Sequence, residues 1–71
     1  MNSPSKTYAI SEIVGTSDTG ISDAIENALA TASKTLRNLD WFEMVSVRGA
    51  IVDGKVGQYQ VTVKVGFRYD E

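Results

Sequence analysis

The only tryptophan of the chain, Trp41, stands where a helical pattern of apolar residues gives way to a strand-like one, with Asp40 and Glu43 beside it. An indole offers a large flat face on which another ring can stack, and it has little side-chain freedom to lose. Tryptophan is also common at subunit interfaces, where it needs no ligand. The two carboxylates could serve acid-base chemistry, but nothing in the sequence around them predicts a cleft. Ring stacking and interface packing are both open for Trp41.

Several kinds of reactive site are excluded by residue types that the chain lacks. Histidine and cysteine are both absent, which removes disulfides, the usual zinc and haem ligands, thiolate nucleophiles and imidazole-dependent triads. No metal site is predicted. The segment EIVGTS and Gly66 fit neither phosphate-loop pattern, GxxxxGK(S/T) or GxGxxG, so the Gly-Thr-Ser of that segment is predicted to be a turn.

The charge of the chain limits the classes of partner that we expect. Seven basic and nine acidic residues give a formal net charge of −2 and a pI near 4.9, and the basic residues are scattered. This disfavours nucleic acid and anionic membranes as partners. No apolar run is long enough to span a bilayer, and the N-terminal MNSPSKTYAI lacks the apolar core of a signal peptide, so we expect a cytoplasmic protein.

The length of the chain predicts a single domain over residues 1–71, with residues 1–5 as a flexible tail. A domain of this size gains little net free energy from its core, because apolar burial and conformational entropy nearly cancel. Disulfides and metals, which stabilise many small domains, are excluded by composition. Oligomerisation is therefore the favoured source of extra stability.

The elements that must position Trp41 follow from periodicity. A strand is expected over Lys6–Val14. Apolar residues at helical spacing predict a helix over residues 18–38. Ser17 is its candidate N-cap, but Gly20 weakens this start, and the first helical residue is left open up to Ser22. Two long strands then flank Asp53 and Gly54, a pair that favours a type I′ hairpin turn. The predicted order is β-α-β-β.

The last strand has a two-residue period, and its length has a consequence. A helix of about 20 residues is roughly 30 Å long, whereas a strand of about 15 residues reaches roughly 50 Å. One helix cannot cover such a hairpin, so apolar surface near Phe67 and Tyr69 is expected to be covered by neighbouring subunits. The residues predicted to face the helix are Tyr59, Val61, Val63, Val65, Phe67 and Tyr69, and those predicted to face away are Gln58, Gln60, Thr62, Lys64 and Arg68.

Three segments of the chain together form a recognisable pattern: EIVGTS (12–17), ENALATASKTLRNLDWFEMVSVRGAI (26–51) and YQVTVKVGFR (59–68). They resemble the dodecin family of small flavin-binding proteins. The resemblance extends over nearly the whole chain from Tyr8 onward, and its most specific part is LDWFE followed by YQV at the expected distance. It implies an α+β subunit, β-α-β-β, whose three-stranded antiparallel sheet partly wraps one helix, and assembly into a hollow dodecamer.

The resemblance also implies a ligand and two residues that bind it. The family binds flavins, in bacterial members mainly FMN, in pairs between tryptophans of two subunits, and the matching tryptophan is Trp41. The family glutamine that bonds the polar edge of the flavin matches Gln60, whose amide can both donate and accept. A strand glutamine is otherwise most often a solvated surface residue. Trp41 has an odd number and Gln60 an even one, and they lie on different strands whose pairing the sequence does not fix. They can share a face if Trp41 precedes the regular ladder or if a bulge intervenes.

Two arginines complete the candidate site. Arg48 and Arg68 match positions where many bacterial members carry arginines near bound ligands, either the flavin phosphate or, in some, coenzyme A. The planar donor fork of arginine suits phosphate. Both arginines also fit ion pairs between subunits, with partners such as Glu43 or Asp40, and the two interpretations are equally open.

These implications lead to a non-enzymatic protein that stores, buffers or sequesters FMN, or another flavin such as riboflavin or FAD. Stacking on Trp41 would shield the flavin and protect the cell from its photochemistry. One alternative is a flavin-dependent redox enzyme, which needs a substrate cavity beside the flavin. Another is a structural oligomer or a coenzyme A-binding protein in which flavin is incidental.

Overall fold

A computed structural model of the chain describes residues 6–69. The element order is β-α-β-β, as predicted, and the sheet is antiparallel with β3 in the centre, in the order β1-β3-β2. The tail predicted for residues 1–5 lies outside the described residues. The elements are β1 (Tyr8–Ser17), α1 (Ile21–Ala32), β2 (Leu39–Val52) and β3 (Lys55–Arg68).

The core lies between α1 and one face of β3. Val61, Val63 and Val65 of β3 are buried there against Ala24 and Ala28 of the helix. The two-residue period of β3 is thus confirmed, because successive strand residues point to opposite faces. The face with the valines is called the helix face below, and the face with Gln60, Thr62, Lys64 and Gly66 is called the outer face.

β1 is longer than the sequence predicted. The expected Gly-Thr-Ser turn is wrong, because the strand continues through Gly15 to Ser17 and pairs with β3 throughout. A side chain at Gly15 would collide with the carbonyl oxygen of Ala24 and the side chain of Ala28. Gly15 therefore permits close approach of helix and strand, which is a use of glycine in strands that differs from turn formation.

The helix is shorter than predicted at its N-terminal end. It begins at Ile21, within the range up to Ser22 that the sequence left open, and its N-cap is Gly20, so the candidate N-cap Ser17 is wrong. The hydroxyl of Ser17 instead accepts hydrogen bonds from the backbone N–H groups of Thr19 (2.9 Å) and Gly20 (3.3 Å) and donates one to Asp23 (2.7 Å). These bonds hold a turn that separates β1 from α1.

The helix is also shorter at its C-terminal end. It ends at Ala32 instead of residue 38, and a turn over residues 33–35 follows. Lys34 therefore lies beyond the last helical turn. The chain then enters β2 after Asn38, which has a φ of 62°, in the left-handed region that asparagine tolerates.

The hairpin has the predicted turn and leaves much of β2 uncovered. Asp53 (φ 53°) and Gly54 (φ 76°) both have positive φ, as a type I′ turn requires. With 12 residues, α1 is about 18 Å long, whereas each 14-residue strand reaches about 46 Å. Among the large apolar residues, Ile51 near the hairpin turn has the highest exposed fraction, 80%, whereas Phe67 is half-buried. The expected uncovered surface exists, but its main part is on β2.

Candidate functional site

Two of the three slips in the pairing of β2 with β3 bring the candidate residues to the outer face. Leu39 pairs with Phe67, but Trp41 pairs with Gly66, so one extra residue is inserted between them. A second slip between Met44 and Ser46 shifts the register again. Such bulges invert the facing of every residue that follows.

The slips explain how residues of different parity share one face. Trp41 lies opposite Gly66, and Arg48 lies opposite Gln60. Gly66 and Gln60 are both outer-face residues of β3, so Trp41, Arg48 and Gln60 are all on the side away from the helix. Of the two possibilities that the sequence analysis left open, the bulge is the one present.

The indole of Trp41 rests on Gly66. A Cβ atom at Gly66 would collide with Cδ2, Cε2 and Cζ2 of Trp41, so the ring occupies the space that any other residue would fill. Gly66 is buried by this contact, while Trp41 itself is 41% exposed. The ring therefore has one side against the sheet and the other accessible.

Tyr8 of β1 reaches the same place from the opposite edge of the sheet. Its ring lies 6.5 Å from that of Trp41, centroid to centroid, at 45°. Its hydroxyl donates a hydrogen bond of 3.0 Å to Oδ2 of Asp40. This hydrogen bond, with desolvation and the charge of Asp40, raises the pKa of Tyr8 above its ordinary value, and the positive charge of Arg68 opposes the rise.

A second polar group lies farther along the outer face. Nε of Arg48 donates to Oε1 of Gln60 (3.1 Å), and Nε2 of Gln60 donates to Oε1 of Gln58 (2.9 Å). Gln60 is half-buried, not fully solvated. One N–H and one lone pair of its amide are left over by these two bonds, so Gln60 can still bond a ligand.

The candidate residues form two groups in one subunit instead of one site. Trp41 lies near Arg68, which pairs with Tyr8, while Gln60 bonds Arg48. Gly66 and Gln60 are six residues apart on β3, which is about 20 Å along the strand. A compact ring ligand that touches both Trp41 and Gln60 must therefore take them from two copies of the chain.

Sequence reasoning missed Tyr8 and Gly66 as parts of this site. Gly66 carried one usable signal, because a glycine inside a strand often marks close approach of another group. No comparable signal marked Tyr8, whose contact with Trp41 depends on strand order and on the bulge. The structure thus adds two residues to the four that were predicted.

Comparison with known proteins decides the family. The sequence model of dodecin matches residues 7–70. The chain belongs to the dodecin family. A curated dodecin from Thermus thermophilus is 53% identical over 66 residues, which are 93% of this chain and 96% of that protein. Membership of the dodecin family implies a homo-oligomer, and the family is known for binding and storage.

Solved dodecins share the fold. The dodecin from Streptomyces davaonensis superposes with a TM-score of 0.92 at 54% identity, covering 96% of this chain and 100% of that one. Three variants of Thermus thermophilus dodecin, two with an arginine replaced by alanine and one with a tryptophan replaced by phenylalanine, give TM-scores of 0.91 at 51% identity. They cover 94% of this chain and at least 98% of theirs.

Over residues 6–69, no helix is both long and apolar enough to cross a bilayer. In the same range, no cluster of three or more acidic residues is arranged to hold a metal ion. Location in the cytoplasm stays a prediction of the sequence.

Proposed function

We propose that this dodecin binds a flavin, mainly FMN, by stacking its ring system on Trp41, and that it stores or sequesters the flavin without converting a substrate. The observation that carries the proposal is the seat of Trp41 on Gly66, which leaves one face of the indole accessible on the outer face of the sheet. A stacked flavin would be shielded, which would limit its photochemistry.

The seat of Trp41 favours stacking over simple interface packing. Because Gly66 lets the ring lie against the sheet, the accessible face is presented outward as a flat surface. Flat aromatic surfaces gain free energy by stacking beyond what area burial alone provides. A second flavin or a second copy of Trp41 would then cover the far side of the ligand.

A homo-oligomer, which we propose to be a dodecamer, would complete the site. Gln60 lies too far from Trp41 within one chain, so a neighbouring copy would supply the amide that bonds the polar edge of the flavin. Arg68 near Trp41, or Arg48 beside Gln60, would bind the phosphate of FMN through its donor fork. Coenzyme A is a prediction of the resemblance and is not part of this proposal.

The solved variants of Thermus thermophilus dodecin carry replacements whose spacing matches that of three candidate residues. The tryptophan and the two arginines that were replaced there are separated by seven and by twenty positions. Trp41, Arg48 and Arg68 have the same separations. This agreement of spacing supports the choice of three of the four candidate residues.

The proposal is tested by calorimetric titration of FMN into the wild type and into Trp41→Ala, Trp41→Phe and Tyr59→Phe variants. Replacing a stacking aromatic by alanine costs about 1–3 kcal/mol in comparable ring complexes, or roughly 5- to 150-fold in Kd. We expect this loss for Trp41→Ala and a smaller one for Trp41→Phe. Tyr59→Phe, a change on the helix face of β3, should leave Kd unchanged.

Assembly and turnover are the controls. All variants should have the mass of the wild type, since Trp41 is proposed to bind ligand and not to hold subunits together. Unchanged FMN affinity in Trp41→Ala would contradict the proposal. Steady consumption of NAD(P)H by the FMN-loaded protein would favour a redox enzyme instead.

A further inference from the structure

We propose that Tyr8 and Asp40 are positioning residues that together hold the indole of Trp41 over Gly66. The consequence for ligand binding rests on the proposed function, but the positioning itself does not. The pair is named the Tyr8–Asp40 clamp below. It connects the two edge strands across the central one.

The clamp spans strands that do not pair with each other. β1 and β2 lie on opposite sides of β3, with Tyr8 opposite Arg68 and Trp41 opposite Gly66. Since Gly66 has no side chain, the space above β3 is free for the two rings, whose centroids are 6.5 Å apart. This separation is within the range of about 4.5–7 Å over which aromatic pairs attract.

The bulge supplies the acceptor of the clamp. Leu39 and Trp41 pair with successive residues of β3, so Asp40 between them has no partner in the register. Its carboxylate accepts the hydrogen bond of 3.0 Å from the hydroxyl of Tyr8. Hydrogen bonds to a charged acceptor are stronger than neutral ones. The inserted residue, Asp40, thus turns Trp41 to the outer face. It also supplies the carboxylate that holds Tyr8 beside Trp41.

The clamp limits the motion of Trp41 before any ligand arrives. An indole that is 41% exposed would otherwise sample several rotamers. Ordering one such side chain on binding typically weakens affinity by about 2- to 10-fold. A ring that is already held loses little further freedom when a ligand binds. The clamp should therefore increase the affinity for a stacked ring by about 2- to 10-fold.

The first test needs no ligand, because Trp41 is the only tryptophan. Time-resolved fluorescence anisotropy of the indole is measured in the wild type, Tyr8→Phe, Asp40→Ala and Tyr59→Phe. We expect greater local motion in the first two variants, and no change in Tyr59→Phe, which loses a hydroxyl on the helix face. Far-UV circular dichroism checks that each variant is folded, and Asp40→Ala tests the clamp independently if Tyr8→Phe fails to fold.

The second test is FMN titration of the same variants. Tyr8→Phe and Asp40→Ala should each raise Kd by about 2- to 10-fold, less than Trp41→Ala does. Unchanged indole motion in both clamp variants would overturn the clamp even if FMN binds well. Greater motion with unchanged Kd would overturn its role in ligand binding. Failure of the wild type to bind FMN would refute the proposed function, while the anisotropy would still decide whether the clamp exists.

Discussion

The position of Trp41 at a junction between elements is explained by its neighbour across the sheet. A tryptophan in the core would have both faces covered, whereas Gly66 supports one face and leaves the other accessible. The junction also provides the bulge that turns the ring outward. Trp41 is thus held on the surface of the sheet and not in the core.

The seat of Trp41 is tested by Gly66→Ala. The added Cβ would collide with the indole, so we expect the ring to swing into solvent and its emission to shift to longer wavelength. FMN affinity should then fall by about 5- to 150-fold, as for the loss of a stacking aromatic. Gly20→Ala is the matched control, because a Cβ there meets nothing within 4 Å. An unchanged emission spectrum in Gly66→Ala would show that the ring does not rest on Gly66.

The hydrogen bond of Tyr8 predicts a pH dependence. Asp40 raises the pKa of Tyr8 above its ordinary value of about 10, so the folded state holds this proton more tightly than the unfolded state. The resulting stabilisation is complete below about pH 10 and is lost as the pH rises through the raised pKa. Tyr8→Phe should remove this loss, which is measured by urea denaturation between pH 8 and about pH 12. Identical pH profiles would contradict the hydrogen bond.

Trp41 and Gln60 could be chosen from sequence because they match a family pattern, and Arg48 and Arg68 for the same reason. Their grouping could not be predicted. The pairing of Arg48 with Gln60, and of Tyr8 with Asp40, depends on strand register, which no local pattern reports. The identity of the candidate residues could therefore be predicted from sequence, but the residues that they contact in the fold could not.

At the scale of elements, local signals predicted some features and failed at others. The Asp53–Gly54 turn was predictable because two positive φ values favour this residue pair. The end of β1 was not, since Gly15 looks like a turn residue until the helix that packs on it is known. The bulges of β2 were also hidden, because its apolar residues do not reveal where a residue is inserted.

The contact of β1 with α1 is tested by Gly15→Ala. The new methyl group would collide with the carbonyl of Ala24, and overpacking of this kind costs about 1–3 kcal/mol of the free energy of unfolding. We expect a lower midpoint in urea than for the wild type. Glu26→Gln, a change at an exposed position of α1, should change the free energy of unfolding by less than about 0.5 kcal/mol. Equal midpoints for the two variants would refute the close contact.

The whole subunit has the shape of a part of a larger assembly. Its radius of gyration is 15.1 Å, whereas a compact domain of this length would have about 11 Å. Large apolar residues along β2 are exposed, among them Phe42, Met44, Val47 and Ile51. Exposed apolar surface of this extent marks an interface, in agreement with the homo-oligomer that the family implies.

Met44→Lys tests whether a neighbouring subunit covers the exposed apolar residues of β2. Met44 pairs with Val63, a helix-face residue, yet it is 52% exposed in one subunit. A lysine there is tolerated by an isolated subunit but is costly if a neighbour buries it. We expect a smaller assembly by light scattering for Met44→Lys and the wild-type mass for Met44→Leu. A wild-type mass for Met44→Lys would show that no subunit covers this position.

The central claim is that Trp41 stacks on a bound flavin, and one titration tests it most directly. Ligand-free wild-type protein is added to FMN while the flavin fluorescence is followed. The account predicts strong quenching that saturates near one flavin per chain, because each chain presents one indole face. Fluorescence that neither falls nor saturates would contradict the account and would leave the assembly without its proposed ligand.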